Sequence, residues 1–210
     1  MNIYFDTEFT GLHKDTTLVS IGLVSDTCRS FYAEFSDYDK SYKDPWFVEN
    51  VEKHLIHGTT KLGIRDRMFC DYVYGTKQEV ANKLKEWLSR FLSVELVSDV
   101  CHYDMVLLID LFGTAFDLPK NVSPVCHDIN SDIARFCKIT EAEAFDMNRE
   151  ELLTIINEGF FPFKENKHNS LYDADVIRAI HRCIESHEKW DKTYKTLKED
   201  YEKMKEECGE

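Results

Sequence analysis

Three β-type runs occupy the first 35 residues of this chain, and helical patterns dominate the remainder. Residues 2–6 alternate into an apolar run that breaks at Asp6-Thr7-Glu8, which predicts a short strand ending near Asp6. Thr17–Ser25 is β-branched and apolar, as a buried strand requires, and Ser30–Phe35 is a third run. The connections at 11–16 and 25–29 are short enough for antiparallel hairpins. Residues 36–75 read as irregular, with one short helix at 46–56. Thr76–Leu92 places Val80, Leu84, Trp87, Leu88 and Phe91 on one helical face, with Thr76 able to cap it. Val94–Ser98 reads as a strand handing over to a helical run from Tyr103 to Phe112, and Val122–His127 as another strand. Short helices are expected at 129–138, 140–146 and 149–158, then a loop at 159–167. Strands first, then βα alternation, then helices predict an α/β mixed sheet with helices on its faces.

From Ser170 the pattern is helical nearly to the end, with neither Gly nor Pro. Trp190, Tyr194, Leu197, Tyr201, Met204 and Cys208 are spaced 4, 3, 4, 3, 4, a short seam of heptad a and d positions. Such a stripe packs on its own domain or pairs with a second copy, so a homodimer is one expectation. No internal repeat or Pro/Gly/Ser linker divides the chain.

The 210 residues, 43% apolar, supply a core for one compact domain with room for an appendage. With 26 Lys and Arg against 39 Asp and Glu, the net charge is −13. That balance disfavours wrapping of long duplex nucleic acid, which needs many contacts from Lys and Arg to phosphate. It leaves room for an enzyme that grips a few nucleotides. No apolar run approaches 18 residues, so no membrane span is expected, and the opening Met1–Asp6 lacks a secretory leader pattern. Seven cysteines without a Cys-x-x-Cys pair argue against a structural zinc site and a disulfide framework, and for reduced thiols in a cytoplasm.

Four elements carry chemical potential. Asp6 and Glu8 stand two residues apart at a strand end, so both side chains point the same way. The carboxyl ends of strands in α/β sheets open on the crevice where ligands bind. The same Asp-x-Glu spacing at Asp200–Glu202 falls on a solvated acidic helix instead. Asp104 sits where a strand hands over to a helix. It fits either a first-turn aspartate favoured by the helix dipole or a ligand, with Asp99 as its rival. His168 and Asp173 lie at the start of the long terminal helix, and His127–Asp132 repeats their spacing. Carboxylates gathered in one crevice repel, each pair at about 5 Å costing roughly 3 kcal/mol at an effective dielectric of 20. Divalent cations relieve this. Oxygen ligands select hard ions, Mg²⁺ or Mn²⁺. A neutral imidazole beside them suits a general base.

The order Asp-x-Glu, Asp, then His-x-x-x-x-Asp resembles the DEDDh 3′–5′ exonucleases, the DnaQ-like class with a ribonuclease H-like fold. Phe5-Asp-Thr-Glu-Phe-Thr-Gly-Leu12 is similar to the first motif and Tyr103-Asp-Met-Val-Leu-Leu-Ile-Asp-Leu-Phe-Gly113 to the second. His168-Asn-Ser-Leu-Tyr-Asp-Ala174 is similar to the third, where Ala is more usual than Ser170. His127–Asp132 lacks those flanks. Asp44-Pro-Trp-Phe-Val-Glu-Asn-Val51 further resembles the small bacterial and phage exoribonuclease branch. The motifs run from residue 3 to about 180 and say nothing of the terminal heptads. This divides the chain into a nuclease domain, 1–186, and a helical extension, 187–210.

The resemblance implies a ribonuclease H-like sheet with two divalent cations, Mg²⁺ or Mn²⁺, held by Asp6, Glu8, Asp104 and Asp173. It makes His168 the general base and single-stranded RNA 3′ ends the substrate, with DNA as the alternative and a non-catalytic scaffold as a third reading. It places Phe9, Thr10 and Leu12 around the terminal nucleotide, although they equally suit a plain turn. Lys164 and Lys167 flank His168 and could meet phosphate or simply be solvated.

Overall fold

The computed structural model describes residues 1–42, 44–58, 68–156 and 167–208, with side chains described as far as residue 189. Six strands form one mixed sheet in the order β4-β3-β2-β1-β5-β6. They are β1 (Asn2–Phe9), β2 (Leu18–Ser25), β3 (Ser30–Phe35), β4 (Cys70–Gly75), β5 (Val94–Ser98) and β6 (Val122–Asp128). The first three are antiparallel neighbours, as the short turns predict. β4 runs parallel to β3, while β5 and β6 run parallel to β1 and to each other.

Seven α-helices are described: α1 (Pro45–Asn50), α2 (Lys77–Leu88), α3 (Cys101–Phe112), α4 (Ile129–Cys137), α5 (Glu141–Asp146), α6 (Arg149–Ile156) and α7 (Ser170–Cys208). Alternation along β1 divides the core. Ile3 and Phe5 pack with Leu84 and Trp87 of α2 and Leu108 of α3. Tyr4 packs on the other face with Ile133 of α4, Leu153 of α6 and Ile177 and Ile180 of α7. Thr76 caps α2 reciprocally with Glu79, as its sequence suggests.

The expected mixed sheet with flanking helices is therefore present, with differences in detail. β1 does not end at Asp6. It continues to Phe9 because its backbone pairs with β2 through Leu18, with a bulge between Glu8 and Phe9. β4 arises within the stretch read as irregular. It is an edge strand whose partly exposed residues give weak alternation, and its ladder to β3 defines it. The helix expected at 46–56 is shorter, ending at Asn50 before a separate turn at Glu52–His54. Most of the loop expected at 159–167 lies outside the described residues. No described helix is long and apolar enough to cross a membrane.

Candidate active site

β1 carries Asp6 and Glu8 to the carboxyl edge of the sheet. Both project toward α7, while Thr7 between them projects toward α3. There the Thr7 hydroxyl donates to Asp104 Oδ1 at 2.6 Å. The Ser98 hydroxyl, at the end of β5, donates to Asp104 Oδ2. Asp104 is thus fixed in the first turn of α3, only 1% exposed. Its carboxylate lies within 4.8 Å of oxygens of Asp6 and Asp99.

α7 supplies the opposite wall. Asn169 stands just before the helix and accepts from the Tyr172 backbone N–H at 3.3 Å. The Asn169 amide donates to the Tyr32 hydroxyl at 3.0 Å, and that hydroxyl donates to the buried Glu34 at 2.8 Å. His168 adopts the left-handed conformation, φ +63°, and its backbone N–H donates to Asp173 Oδ2 at 2.9 Å. One Asp173 oxygen therefore anchors the His168 turn. Ligand atoms of Glu8, His168 and Asp173 converge within 4.8 Å. Trp46 meets the His168 ring edge to face, centroids 5.1 Å apart.

Gly22 of β2, directly opposite Asp6 in the ladder, permits this approach. A Cβ there would lie 2.3 Å from Leu171 N and 2.4 Å from Leu171 Cα. Beside it, Ser170 Oγ and Ser20 Oγ are hydrogen-bonded at 3.0 Å, which gives the serine in the third motif a partner in β2.

The cleft between these walls encloses about 390 Å³ and is lined by Asp6, Glu8, Asp99, Arg149, Glu150 and His168 among others. Burial first, then the charges of Asp104 and Glu8, lift Asp6 well above the usual carboxylate range. Burial and Asp104 push Glu8 up to about 8. Burial also lifts Asp104 to about 7, against the pull of the Ser98 and Thr7 hydrogen bonds. Asp173 is raised by burial and then by Glu8 and Asp99. Burial, then the neighbouring Lys167 charge, hold His168 below the usual imidazole range. Asp6 Oδ2 is buried with no hydrogen-bond partner among the described residues. An orphaned carboxylate oxygen beside the carboxylates of Glu8, Asp104 and Asp173 has the chemistry that suits a hard divalent cation.

Asp99 shares the cleft but has its own countercharge. Arg149 Nε donates to it at 2.9 Å, and the same guanidinium donates to Asn130 Oδ1 at 2.6 Å and to the Ala144 carbonyl at 2.7 Å. Of the expected substrate residues, Phe9 stacks on Tyr103, centroids 5.6 Å apart at 12°. Phe9 and Leu12 line an apolar recess of about 370 Å³ with Glu8, Tyr42 and Trp46, and Leu12 is 74% exposed there. Thr10 is buried, and its hydroxyl is engaged within the turn by Thr17 N–H at 3.0 Å and by the hydroxyls of Thr16 and Thr17. Lys167 lines the cleft and pairs with Glu150 at 3.7 Å. Lys164 lies outside the described residues. Sequence reasoning missed Arg149 and Glu150, whose only local signal is their place at the start of a short helix.

No family model matches the chain. A 3′–5′ exoribonuclease of Mycobacterium tuberculosis, found in two strains, is 28% identical over 124 residues, which are 58% of this chain and 67% of that protein. A 93-residue stretch is 34% identical to phosphatidylglycerophosphate phosphatase 1 of Arabidopsis thaliana, covering 25% of that protein. Among solved structures, the nuclease domain of 3′hExo, a DEDDh family member bound to rAMP, superposes with a TM-score of 0.59 at 12% identity, over 88% of this chain and 92% of that one. The ribonuclease H-like fold expected from the sequence is the fold of this chain.

Proposed function

We propose that this chain, a DEDDh-family 3′–5′ exonuclease, removes nucleoside 5′-monophosphates from single-stranded RNA 3′ ends. The observation that carries the reading is the orphaned Asp6 Oδ2, buried beside Glu8, Asp104 and Asp173 with His168 at the same cleft. The RNA preference is supported by the name of the mycobacterial relative and by the resemblance of Asp44–Val51 to the exoribonuclease branch.

Asp6, Glu8, Asp104 and Asp173 would hold two divalent cations, Mg²⁺ or Mn²⁺, whose four positive charges match the four carboxylates. When bound, such a pair supplies Lewis-acid polarisation of a scissile phosphate and stabilises charge on the attacking and leaving oxygens. Thr7 and Ser98 orient Asp104, so that ligand is fixed before substrate arrives. His168 is held below the usual imidazole range, so its ring is neutral at pH 7. In that form it takes a proton from the attacking water on a ring nitrogen. Trp46 against the ring limits its swing. Phe9 and Leu12 offer the terminal base an apolar wall, a contact of the kind worth about 1–3 kcal/mol per stacked base. Lys167 is placed at the cleft to meet phosphate if it leaves Glu150.

We assign residues 1–186 to this activity, in the cytoplasm, and residues 187–210 to a helical extension that pairs two copies of the chain. The test is digestion of matched 5′-labelled single-stranded RNA and DNA with Mg²⁺, Mn²⁺ or EDTA, beside Asp6→Ala. A metal-dependent ladder shortening from the 3′ end, faster on RNA and absent in the variant, is expected. Faster shortening of DNA would make it a DNA trimming enzyme. No shortening of either strand would remove the nuclease reading.

A further inference from the structure

Outside the cleft, a second cluster joins residues from β6, α4 and α7. Asp132 on α4 is 5% exposed. Its Oδ2 meets His127 Nε2, from β6, and lies 3.7 Å from His181 Nε2, from α7. Counting eight residues of helix from Asp173, His181 is about 12 Å further along α7.

The hydrogen bonds fix which atoms are free. The Tyr4 hydroxyl donates its one proton to Asp26 Oδ1 at 3.0 Å. Its contact with His181 Nδ1, also 3.0 Å, therefore places the proton on Nδ1. In a neutral His181 the Nε2 then carries a bare lone pair, and it faces a carboxylate oxygen. At 3.7 Å these two acceptors repel unless a proton on Nε2 or a metal ion lies between them. The separation suits two ligands of one ion with bonds near 2.0–2.2 Å. His127, about half exposed at its side chain, joins that ion by giving up its direct contact with Asp132 Oδ2 and carrying its proton on Nδ1 instead.

The surroundings complete such a site. Arg135 Nη2 donates to the other Asp132 oxygen at 2.8 Å, orienting the carboxylate from behind. Glu188 of α7 accepts from the same guanidinium at 2.9 and 3.1 Å, so the arginine charge is compensated. Asp132, Glu188 and Arg135 together leave one net negative charge beside two imidazoles.

We propose that His127, Asp132 and His181 form a second metal site for a borderline divalent transition ion of the zinc type. Two imidazole nitrogens and one carboxylate select this class over Mg²⁺, which the oxygen-only cleft favours. Three protein ligands and an exposed His127 leave a fourth position for water. The ion ties β6 and α4 to α7 and acts on stability, independently of the reaction in the cleft.

The probe is Co²⁺ at pH 8 with excess Mg²⁺, using the full-length Asp6→Ala variant so that the carboxylate cleft is impaired. A saturable visible d–d absorption at one equivalent is expected, lost when His127→Ala is added. Zn²⁺ should raise the thermal midpoint of Asp6→Ala and leave the double variant unmoved. His127 is half exposed, so its removal leaves the core intact. No absorption in Asp6→Ala, or absorption and thermal shift surviving in the double variant, would overturn the site.

Discussion

Two oxygens of Asp104 are held by hydroxyls, whereas Asp6 Oδ2 is buried without a hydrogen-bond partner among the described residues. Asp6→Ala removes a carboxylate that repels its neighbours in the metal-free protein. It should abolish divalent binding in the cleft and turnover, yet raise the metal-free thermal midpoint. A lower midpoint than the metal-free parent would contradict the repulsion. His168→Ala should cut turnover by about 10²–10⁴ with cleft metal affinity kept, measured by single-turnover digestion beside calorimetric Mn²⁺ titration. Because His168 is held below the usual imidazole range, the acid limb of the rate profile should lie lower than that of a free imidazole. The five motif residues are short, local patterns, which is why they were legible from sequence. Asp99 was legible only as a rival. Its pairing with Arg149, fifty residues on, is what separates its charge from the uncompensated ones.

At the level of elements, β1 presents Asp6 and Glu8, and α7 brings Asp173 and the His168 turn to meet them. The two are kept in register by Gly22. Gly22→Ala should destabilise the protein by about 3 kcal/mol, because the added methyl meets backbone atoms that have little room to yield. It should also reduce turnover beyond the fraction unfolded, since relief of the clash shifts α7. Urea unfolding with activity per folded molecule checks both. Ser20→Ala, which removes only the hydroxyl contact to Ser170, should cost far less. The continuous β-branched and apolar run of β2, the third such run at β3 and the Thr76 cap made those elements readable. β4 was not, because an edge strand owes its form to its ladder partner rather than to its own pattern. The His127, Asp132 and His181 cluster was hidden for a related reason. His127 and Asp132 are close in sequence, but the third member arrives from a helix 49 positions beyond Asp132.

Across the whole molecule, the raised carboxylates of the cleft set a pH dependence. The folded metal-free protein holds protons that the unfolded chain releases in the usual carboxylate range. Stability should therefore be greatest below that range and fall as pH rises through the values near 7 for Asp104 and 8 for Glu8. Thermal midpoints in EDTA from pH 5 to 8 should decline, and saturating Mg²⁺ should flatten the slope. α7 runs for 39 residues, roughly 58 Å, and its last residue in the described core is Ile184. The full chain should sediment as a dimer, and a chain ending at Ser186 as an active monomer. Equal monomeric masses would remove the pairing role of the tail. The heptad spacing was legible in the sequence, but what it packs against was not, because the stripe suits either partner. Gly22 bears on how such a protein can change over generations. A hydrogen atom on β2 sets the gap between the carboxylates of residues 6 and 173, so drift at position 22 is coupled to a cleft that position never touches. A lineage that filled it would have to respace the two carboxylate-bearing segments together, through paired changes in β2 and the first turn of α7.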